Sequence, residues 1–524
     1  MGCILFSLSI SKSGEAANVI RRSGFFACLL IGTAVAAAGQ TRDQNWDKCK
    51  ADDPDTSIAG CTAIIQAGQE TPADLASAYF DRGIAYRDKK ETDLALQDLD
   101  EALKLKPDFA GVLNTRGNVY ADKGEHERAM ADYNDAIRLD PNYALAYYNR
   151  GNDWGDEKEW DKAIADYNKY VQLAPTDPDG FNNRGHAYMS KGDYDHAFAD
   201  YQAALGLNPK HALATYNMGV TSSDKKEYSQ AVTWFTRYIA LVPDDPDGYE
   251  SRGNAYRHQS QFDEAVADYN HALQVKPDYS LAYYYLGLTD DLQGKYDTAI
   301  ATMGKYVEMQ PKDADGFAER GLEYFEKAQY PLAIADFNKA LEIQPNRAYA
   351  FVERGCAHYL AGQFSQAAAD FELAIGVNPA SGTAVYAALW LHMTKARLHQ
   401  EGSEELAEVA QKADLSSWPG PVLKFYMGKM TDDELMAAAA DPDPQTHVGE
   451  ACEVNFYAGE DALEHQRQPT ALARFRAVHD NCIKDYVEYG AALAELKHMT
   501  GAPVKAAAGP AKSAAAPAKW ASKP

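Results

Sequence analysis

Basic side chains are scarce in this sequence of 524 residues. Lysine and arginine number 51 against 76 aspartates and glutamates, so the formal net charge is −25. A surface of that sign repels polyanions, and nucleic acid is therefore excluded as an expected partner. Long apolar runs are scarce as well, because none follows the run from Phe25 to Ala38. Contact with a membrane is expected only through that segment, if it is retained.

The N-terminal apolar run has the features of a secretory signal peptide. Arg21 and Arg22 precede it, it is too short to span a bilayer well, and it ends in small residues that suit an A-x-A cleavage site. We therefore predict that residues 1–38 are a signal peptide and that the mature chain is exported to the periplasm. The alternative is a membrane anchor that stays uncleaved.

Motifs for catalysis and metal binding are missing from the sequence. It contains no H-E-x-x-H, no G-x-S-x-G and no glycine-rich phosphate loop, and its 13 histidines are scattered. We expect no enzyme activity, no cofactor and no metal site. The sequence Asp177-Pro178-Asp179-Gly180 imitates part of a calcium loop, but it lacks the later ligands and the glutamate at the twelfth position.

Cysteine is rare, and its placement agrees with export. Cys49 and Cys61 lie near the predicted mature N-terminus, Cys452 and Cys482 near the C-terminus, and Cys356 alone between them. An oxidising compartment permits disulfides, so we predict the pairs Cys49–Cys61 and Cys452–Cys482. Zinc binding is the alternative, but neither pair forms C-x-x-C and no histidine cluster accompanies them.

A period of 34 residues dominates the middle of the chain. Glycine recurs nine times from Gly83 to Gly355, proline recurs in step from Pro107 to Pro379, and alanine stands twelve residues after each glycine. An aromatic residue usually follows four residues after the alanine. Glycine and alanine let two antiparallel helices approach closely, and proline ends the second helix.

This period resembles that of the tetratricopeptide repeat (TPR) family, over residues 76–381 without an insertion. The resemblance implies an all-α fold: a right-handed superhelix, or α-solenoid, of nine regular helix-turn-helix repeats with a helical C-terminal extension. Because one repeat cannot bury its own apolar face, stacked neighbours bury it. The first helix of each repeat is then expected to line a concave groove.

Three further regions are predicted around the repeats. Residues 39–75 form an N-terminal helical cap that contains the Cys49–Cys61 pair. Residues 382–499 form a helical C-terminal region with a degenerate TPR-like pair, in which Gly459 and Phe475 keep the spacing of the repeats. Residues 500–524, rich in alanine, proline and lysine, form a disordered tail.

The C-terminal region also resembles TPR lipoproteins of the Gram-negative outer membrane that act as adaptors. The resemblance is carried by Trp418-Pro419, Phe425-Tyr426-x-Gly428 and Cys452-Glu453-x-x-Phe456-Tyr457-x-Gly459. It implies partners among the proteins of the cell envelope. The lipidation cysteine of those proteins is missing from this sequence.

Two positions of the repeat vary together. Counted from seven residues before each glycine, position 7 is arginine and position 23 is aspartate in seven of the nine repeats, and both differ in the same two repeats. We therefore predict an ion pair between the two helices of each of those seven repeats. Such a half-buried pair specifies packing more than it adds net stability.

Tyrosine and asparagine dominate the positions that face the groove in the TPR family. The candidate binding residues are Asn114, Asn118, Tyr148, Asn149, Asn152, Asn182, Asn183, Tyr216, Asn217, Asn254, Tyr284 and Tyr285. These side chains suit an extended peptide or a partner's helix. Packing between repeats is the alternative role of the tyrosines. Cys356 either faces the groove as a free thiol or is a small buried residue.

The predicted function is that of a periplasmic protein–protein interaction scaffold or adaptor that binds peptides or partner helices in its groove. Position 5 carries neither lysine nor arginine, so a clamp for a terminal carboxylate is not expected and a neutral or basic ligand fits better. A carbohydrate-binding or peptidoglycan-binding protein is the alternative, because tyrosine and asparagine also suit sugar rings. A hydrolase with its active site in the C-terminal region is a third possibility.

Overall fold

The computed structural model of the protein describes residues 41–440, 444–482 and 486–501. Within these ranges the chain forms 27 α-helices and no strand, and consecutive helices pack as antiparallel pairs. The all-α class and the paired helices of a TPR solenoid are thereby confirmed. Two predictions lie outside the described residues: the signal peptide at residues 1–38 and nearly all of the tail at residues 500–524.

Contacts divide the described chain into two units, residues 41–119 and residues 120–501. The first unit contains α1 (Arg42–Cys49), α2 (Pro54–Ala67), α3 (Pro72–Asp88), α4 (Thr92–Leu105) and most of α5 (Ala110–Asp122). The last residues of α5 belong to the second unit. The side chains of Asp53 and Thr71 cap the N-termini of α2 and α3, where they accept the free backbone N–H groups. The sulfurs of Cys49 and Cys61 lie 2.01 Å apart and join α1 to α2.

The second unit begins with the remaining repeats. Their helices are α6 (His126–Leu139), α7 (Ala144–Asp156), α8 (Trp160–Leu173), α9 (Pro178–Ser190), α10 (Tyr194–Leu207), α11 (Ala212–Asp224), α12 (Tyr228–Leu241), α13 (Pro246–His258), α14 (Phe262–Val275), α15 (Ser280–Leu292), α16 (Tyr296–Met309), α17 (Ala314–Glu326), α18 (Tyr330–Ile343), α19 (Ala348–Leu360) and α20 (Phe364–Val377). The odd-numbered helices from α7 to α19 are the first helices of their repeats.

The recurring glycine makes room for the recurring aromatic ring of the same repeat. A Cβ atom on Gly151 would lie 2.9 Å from the ring of Tyr167, and one on Gly219 would lie 2.6 Å from the ring of Phe235. Real Cβ atoms do not approach other heavy atoms so closely, so only glycine lets the two helices of the hairpin meet across the ring. The predicted reason for the 34-residue glycine period is therefore correct.

The predicted ion pairs form between the two helices of the repeats. Six pairs have an N–O distance of 2.5–2.7 Å: Arg82–Asp98, Arg150–Asp166, Arg184–Asp200, Arg252–Asp268, Arg320–Asp336 and Arg354–Asp370. The aspartates are buried and the arginines are half-buried. The covariation of positions 7 and 23 thus reports a physical contact. The seventh pair, Arg116 with Asp132, stays a prediction.

The C-terminal helices continue the second unit. They are α21 (Gly382–Arg397), α22 (Ser403–Lys412), α23 (Gly420–Tyr426), α24 (Asp432–Ala438), α25 (Pro444–Glu464), α26 (Gln468–Asn481) and α27 (Val487–Thr500). Trp390 of α21 is fully buried, with its ring 5.2 Å from that of Tyr359 in the last repeat and 5.6 Å from that of Phe456 in α25. One apolar core therefore joins the last repeats to the C-terminal helices.

Helices α25 and α26 reproduce the geometry of a repeat. A Cβ atom on Gly459 would lie 2.7 Å from the ring of Phe475, the same relationship as in the regular repeats. The sulfurs of Cys452 and Cys482 lie 2.20 Å apart and connect the interior of α25 to the C-cap residue of α26. Within the described ranges, no helix combines the length and the apolar composition that crossing a bilayer requires.

Candidate functional site

The first helices of the repeats form one continuous face in the second unit. Each of the helices α7, α9, α11, α13, α15 and α17 contacts the first helix of the following repeat. We call the surface formed by α7 to α19 the first-helix face. Ten of the predicted binding residues lie on it, from Tyr148 on α7 to Tyr285 on α15. The other two, Asn114 and Asn118, lie on α5.

Asparagine side chains bond the first helices of neighbouring repeats to one another. Asn183 on α9 donates from Nδ2 to the hydroxyl of Tyr148 at 2.9 Å and to Oδ1 of Asn152 at 3.1 Å, both on α7. The hydroxyl of Tyr167 donates to the same Asn152 oxygen at 2.7 Å. These amides are therefore already used between repeats.

The bonding continues toward the C-terminus. Asn182 donates to Oδ1 of Asn183 at 3.1 Å, and Asn217 on α11 donates to Oδ1 of Asn182 at 3.1 Å. The structure thus joins Tyr148, Asn152, Asn182, Asn183 and Asn217 into one chain of hydrogen bonds across three repeats. Asn149 lies half-buried on α7 in the first of these repeats. A connected set of this kind fixes the relative positions of its helices.

The three predicted groove tyrosines pack against a second series of tyrosines. The ring pairs, all within single hairpins, are Tyr148–Tyr170 at 4.8 Å, Tyr216–Tyr238 at 5.0 Å and Tyr284–Tyr306 at 5.0 Å between centroids. Burial raises the pKa of the phenols of Tyr148, Tyr216 and Tyr284 above the ordinary value. Their rings therefore contribute to packing, as the alternative interpretation proposed.

The second tyrosine series explains the Asp-x-Asp-Gly sequences. The hydroxyl of Tyr170 donates to Asp177, whose other oxygen accepts the backbone N–H of Asp179 at the start of α9. A Cβ atom on Gly180 would lie 2.5 Å from the Tyr170 ring. The same contacts recur 68 residues later at Tyr238, Asp245 and Gly248, and again at Tyr306, Asp313 and Gly316. These aspartates and glycines are thus required by packing and capping.

Leucine occupies the second position of the first helices α7, α11 and α15 and is exposed there. Leu145, Leu213 and Leu281 expose 49%, 52% and 43% of their surface. The intervening repeats carry aspartate instead, and each aspartate is held by the residue that precedes the next repeat. These contacts are Asp179 with His211, Asp247 with Tyr279 and Asp315 with Arg347. The leucines and the aspartates each recur at intervals of 68 residues.

Glu250 is a nearly buried carboxylate on the first-helix face, at a position that carries tyrosine or asparagine in the neighbouring repeats. It is 8% exposed on α13, where Asn254 donates to Oε1 at 2.6 Å and Ser251 donates to Oε2 at 3.3 Å. Burial, with the charge of Asp247, raises the pKa of Glu250 to about 7. The half-buried rings of Tyr284 and Tyr285 lie on the next first helix, 5.4 Å apart between centroids.

Cys356 is fully buried, in accordance with the second of its two interpretations. It lies in the core that joins the last repeats to the C-terminal helices. In the described residues, no three histidine, cysteine, aspartate or glutamate side chains are grouped so that they could hold a metal ion.

Family models match the chain repeatedly within the predicted repeats. A model described as TPR repeat matches residues 117–152, 156–192 and 253–289. Two models described as tetratricopeptide repeat match residues 76–109 and 178–211, and residues 291–348 and 318–385.

Solved structures match segments of the chain. They include a tetratricopeptide repeat protein from Parabacteroides merdae, at 21% identity, covering 45% of this chain and 93% of that protein with a TM-score of 0.39. The pilF protein of Pseudomonas aeruginosa matches at 18% identity over 41% of this chain and 98% of its own length, with a TM-score of 0.37. YrrB, a TPR protein with an unusual peptide-binding site, matches at 22% identity over 36% and 96%, with a TM-score of 0.31.

Proposed function

This chain belongs to the tetratricopeptide repeat family, and from that membership we propose that it binds partner proteins along its first-helix face. Its repeats support a protein–protein interaction scaffold as the general function. In the specific form proposed here, the ligand is an extended peptide or a partner's helix, and the chain itself carries out no reaction.

The exposed leucines carry this proposal. Leu145, Leu213 and Leu281 occupy the same position in alternate repeats, on helices that are linked through contacts with the intervening first helices α9 and α13. Single exposed leucines are common on protein surfaces, but three at one repeat position place apolar side chains at regular intervals along one face. A protein ligand that follows the face would meet these leucines in turn. Burying them would favour association through the hydrophobic effect.

The location and the class of partner are part of the same proposal. The apolar run before Ala38 and the two cysteine pairs at disulfide distance support export to the periplasm. The resemblance of the C-terminal region to envelope adaptors supports proteins or peptides of the cell envelope as partners. Carbohydrate binding has less support, because Asn152, Asn182 and Asn183 already bond within the protein.

A matched pair of triple variants tests the face. The test variant is Leu145→Ser, Leu213→Ser and Leu281→Ser. The control changes leucines of similar exposure on second helices, Leu207→Ser, Leu332→Ser and Leu373→Ser, which are 43%, 48% and 51% exposed. We expect the test variant to capture partners from an envelope extract at least about ten-fold more weakly than the wild type. The control is expected to capture them normally.

Circular dichroism must show that both variants keep the helical content of the wild type. The proposal fails if the two triple variants lose capture equally, or if the test variant retains it. In either case the partner would dock on a surface other than the first-helix face.

A further inference from the structure

Glu250 departs from the tyrosine and asparagine that position 5 carries in the three preceding repeats. Position 5 carries Tyr148, Asn182, Tyr216, Glu250 and Tyr284 in successive repeats, so a carboxylate stands where the repeat two earlier has an amide. The substitution changes what the neighbouring repeat has to supply. An amide both donates and accepts, whereas a carboxylate only accepts.

The repeat that follows Glu250 does not donate a hydrogen bond to its carboxylate, although the corresponding repeats earlier in the chain form such a bond. Two repeats earlier, Asn217 donates to Asn182 at 3.1 Å. The residue equivalent to Asn217 is Tyr285, which forms no hydrogen bond with Glu250. Among the residues that the structure describes, the carboxylate therefore accepts only from Asn254 and Ser251, although its two oxygens have room for about four donors.

No cation in the described residues forms an ion pair with Glu250. Arg257, about two turns further along α13, is close enough to lower the pKa of Glu250. Its guanidinium instead lies 5.7 Å from the centre of the Tyr285 ring and makes no ion pair with the carboxylate. A nearly buried carboxylate that forms no ion pair is costly, and a bound cation would relieve that cost.

Tyrosine side chains lie near the carboxylate, because burial and then the charge of Glu250 raise the pKa of Tyr279 and Tyr285. The hydroxyl of Tyr216 lies 3.0 Å from the Ser251 hydroxyl that donates to Glu250, and the Tyr285 ring lies on the following first helix. Aromatic faces attract ammonium and guanidinium groups, and more strongly where water is excluded. The position thus combines a carboxylate with spare acceptor sites and aromatic rings, which together suit a cationic side chain.

We infer that the surface around Glu250, Ser251, Asn254 and Tyr285 is a recognition site for a lysine or arginine side chain of the bound partner. This inference rests on the proposed function, because it assigns one contact within the proposed peptide ligand. The ammonium or guanidinium group donates to the free acceptor sites of Glu250 while its aliphatic stem lies along the tyrosine rings. The partner segment is accordingly basic at this point.

Tetralysine amide is a suitable probe, with its fully acetylated form as the neutral comparison. Glu250→Gln keeps the size of the side chain and removes its charge. Glu264→Gln makes the same change at an exposed position on the second helix of the same repeat. At about 0.15 M salt, where exposed charges are screened, we expect Glu250→Gln to weaken tetralysine binding by at least about ten-fold. Glu264→Gln should change it by less than about two-fold.

A second measurement reports on the site in the unaltered protein. Carbon-13 NMR can follow the titration of the Glu250 carboxyl. Saturating tetralysine should lower its pKa by at least about one unit, and the acetylated peptide should leave the pKa unchanged. The inference is overturned if Glu250→Gln binds tetralysine as the wild type does, or if the Glu250 titration ignores the peptide. Failure here with intact leucine-dependent capture would remove the cationic contact and leave the proposed function standing.

Discussion

Arg252 holds both oxygens of Asp268 in a two-pronged contact between the helices of one hairpin. Its Nε donates to Oδ2 at 2.8 Å and its Nη2 donates to Oδ1 at 2.7 Å, while Asp268 is buried. In the repeats that lack this pair, position 7 carries Met218 or Leu286 instead. The same position between the two helices is therefore occupied by an ion-paired arginine in some repeats and by an apolar side chain in others.

We expect Asp268→Ala to destabilise its repeat by roughly 2–4 kcal/mol, because it leaves the half-buried Arg252 without its partner. The double variant Arg252→Met with Asp268→Trp, which copies the natural exception, should recover much of that loss. Hydrogen exchange of the amides in α13 and α14 measures the local effect. Additive effects in the thermodynamic cycle would contradict the coupling of the two residues.

Two glycines within helices should respond to alanine in opposite directions. Gly180→Ala places a Cβ atom 2.5 Å from the Tyr170 ring, so we expect a loss of about 1–3 kcal/mol through overpacking. Gly206→Ala on α10 meets no heavy atom within 4 Å and should stabilise by about 0.5–1 kcal/mol. Thermal unfolding of the two variants checks the order. A stabilising effect at Gly180 would show that the tyrosine can move aside.

Glu250 should make the stability of its repeat depend on pH. Its pKa is raised from 4.5 to about 7 in the folded chain, so the protonated form favours folding. That stability is fully present below about pH 4.5 and is lost as the pH rises through about 7, by an amount on the order of 3 kcal/mol.

The comparison of the wild type with Glu250→Gln isolates this effect from other titrating groups. We expect the free energies of unfolding of the two proteins, measured in urea, to diverge between about pH 5 and pH 8, with the variant more stable at the higher pH. Glu264→Gln should run parallel to the wild type. Parallel curves for Glu250→Gln as well would mean that the carboxyl keeps an ordinary pKa.

The tyrosine series distinguishes packing from binding. Replacing Tyr148, Tyr216 and Tyr284 with serine removes three half-buried rings, and we expect a loss of about 2 kcal/mol at each position. The corresponding phenylalanine variant keeps the rings and should lose much less. Differential scanning calorimetry gives the comparison. Unchanged melting together with lost partner capture would support the predicted binding role of these tyrosines.

The 34-residue period was sufficient to predict the helices and their pairing. Gly151 and Tyr167 recur at fixed positions because each hairpin must satisfy the same close approach, and such a local requirement is visible in the sequence. The pairing of Arg252 with Asp268 could also be predicted, because the two positions vary together. Contacts that lie within one hairpin and recur from repeat to repeat place the same residue types at a fixed spacing in the sequence.

The surface chemistry required the tertiary structure. The sequence suggests a groove of tyrosine and asparagine, but Asn183 bonds to Tyr148 and Asn152 in the preceding repeat, and Tyr216 packs against Tyr238. Whether such a side chain faces a ligand or a neighbour depends on which hairpins lie beside it. The direction in which such a side chain faces therefore depends on how the repeats stack, and the residue type at one position does not determine it.

The sequence by itself thus determined the fold class, the ion pairs and the reason for each recurring glycine, because these follow from contacts within single hairpins. Only the tertiary structure decided that Leu145, Leu213 and Leu281 stay exposed and that Glu250 forms no ion pair within the described part of the chain. Exposure and the missing donor both depend on residues of other repeats, which approach only when the hairpins stack.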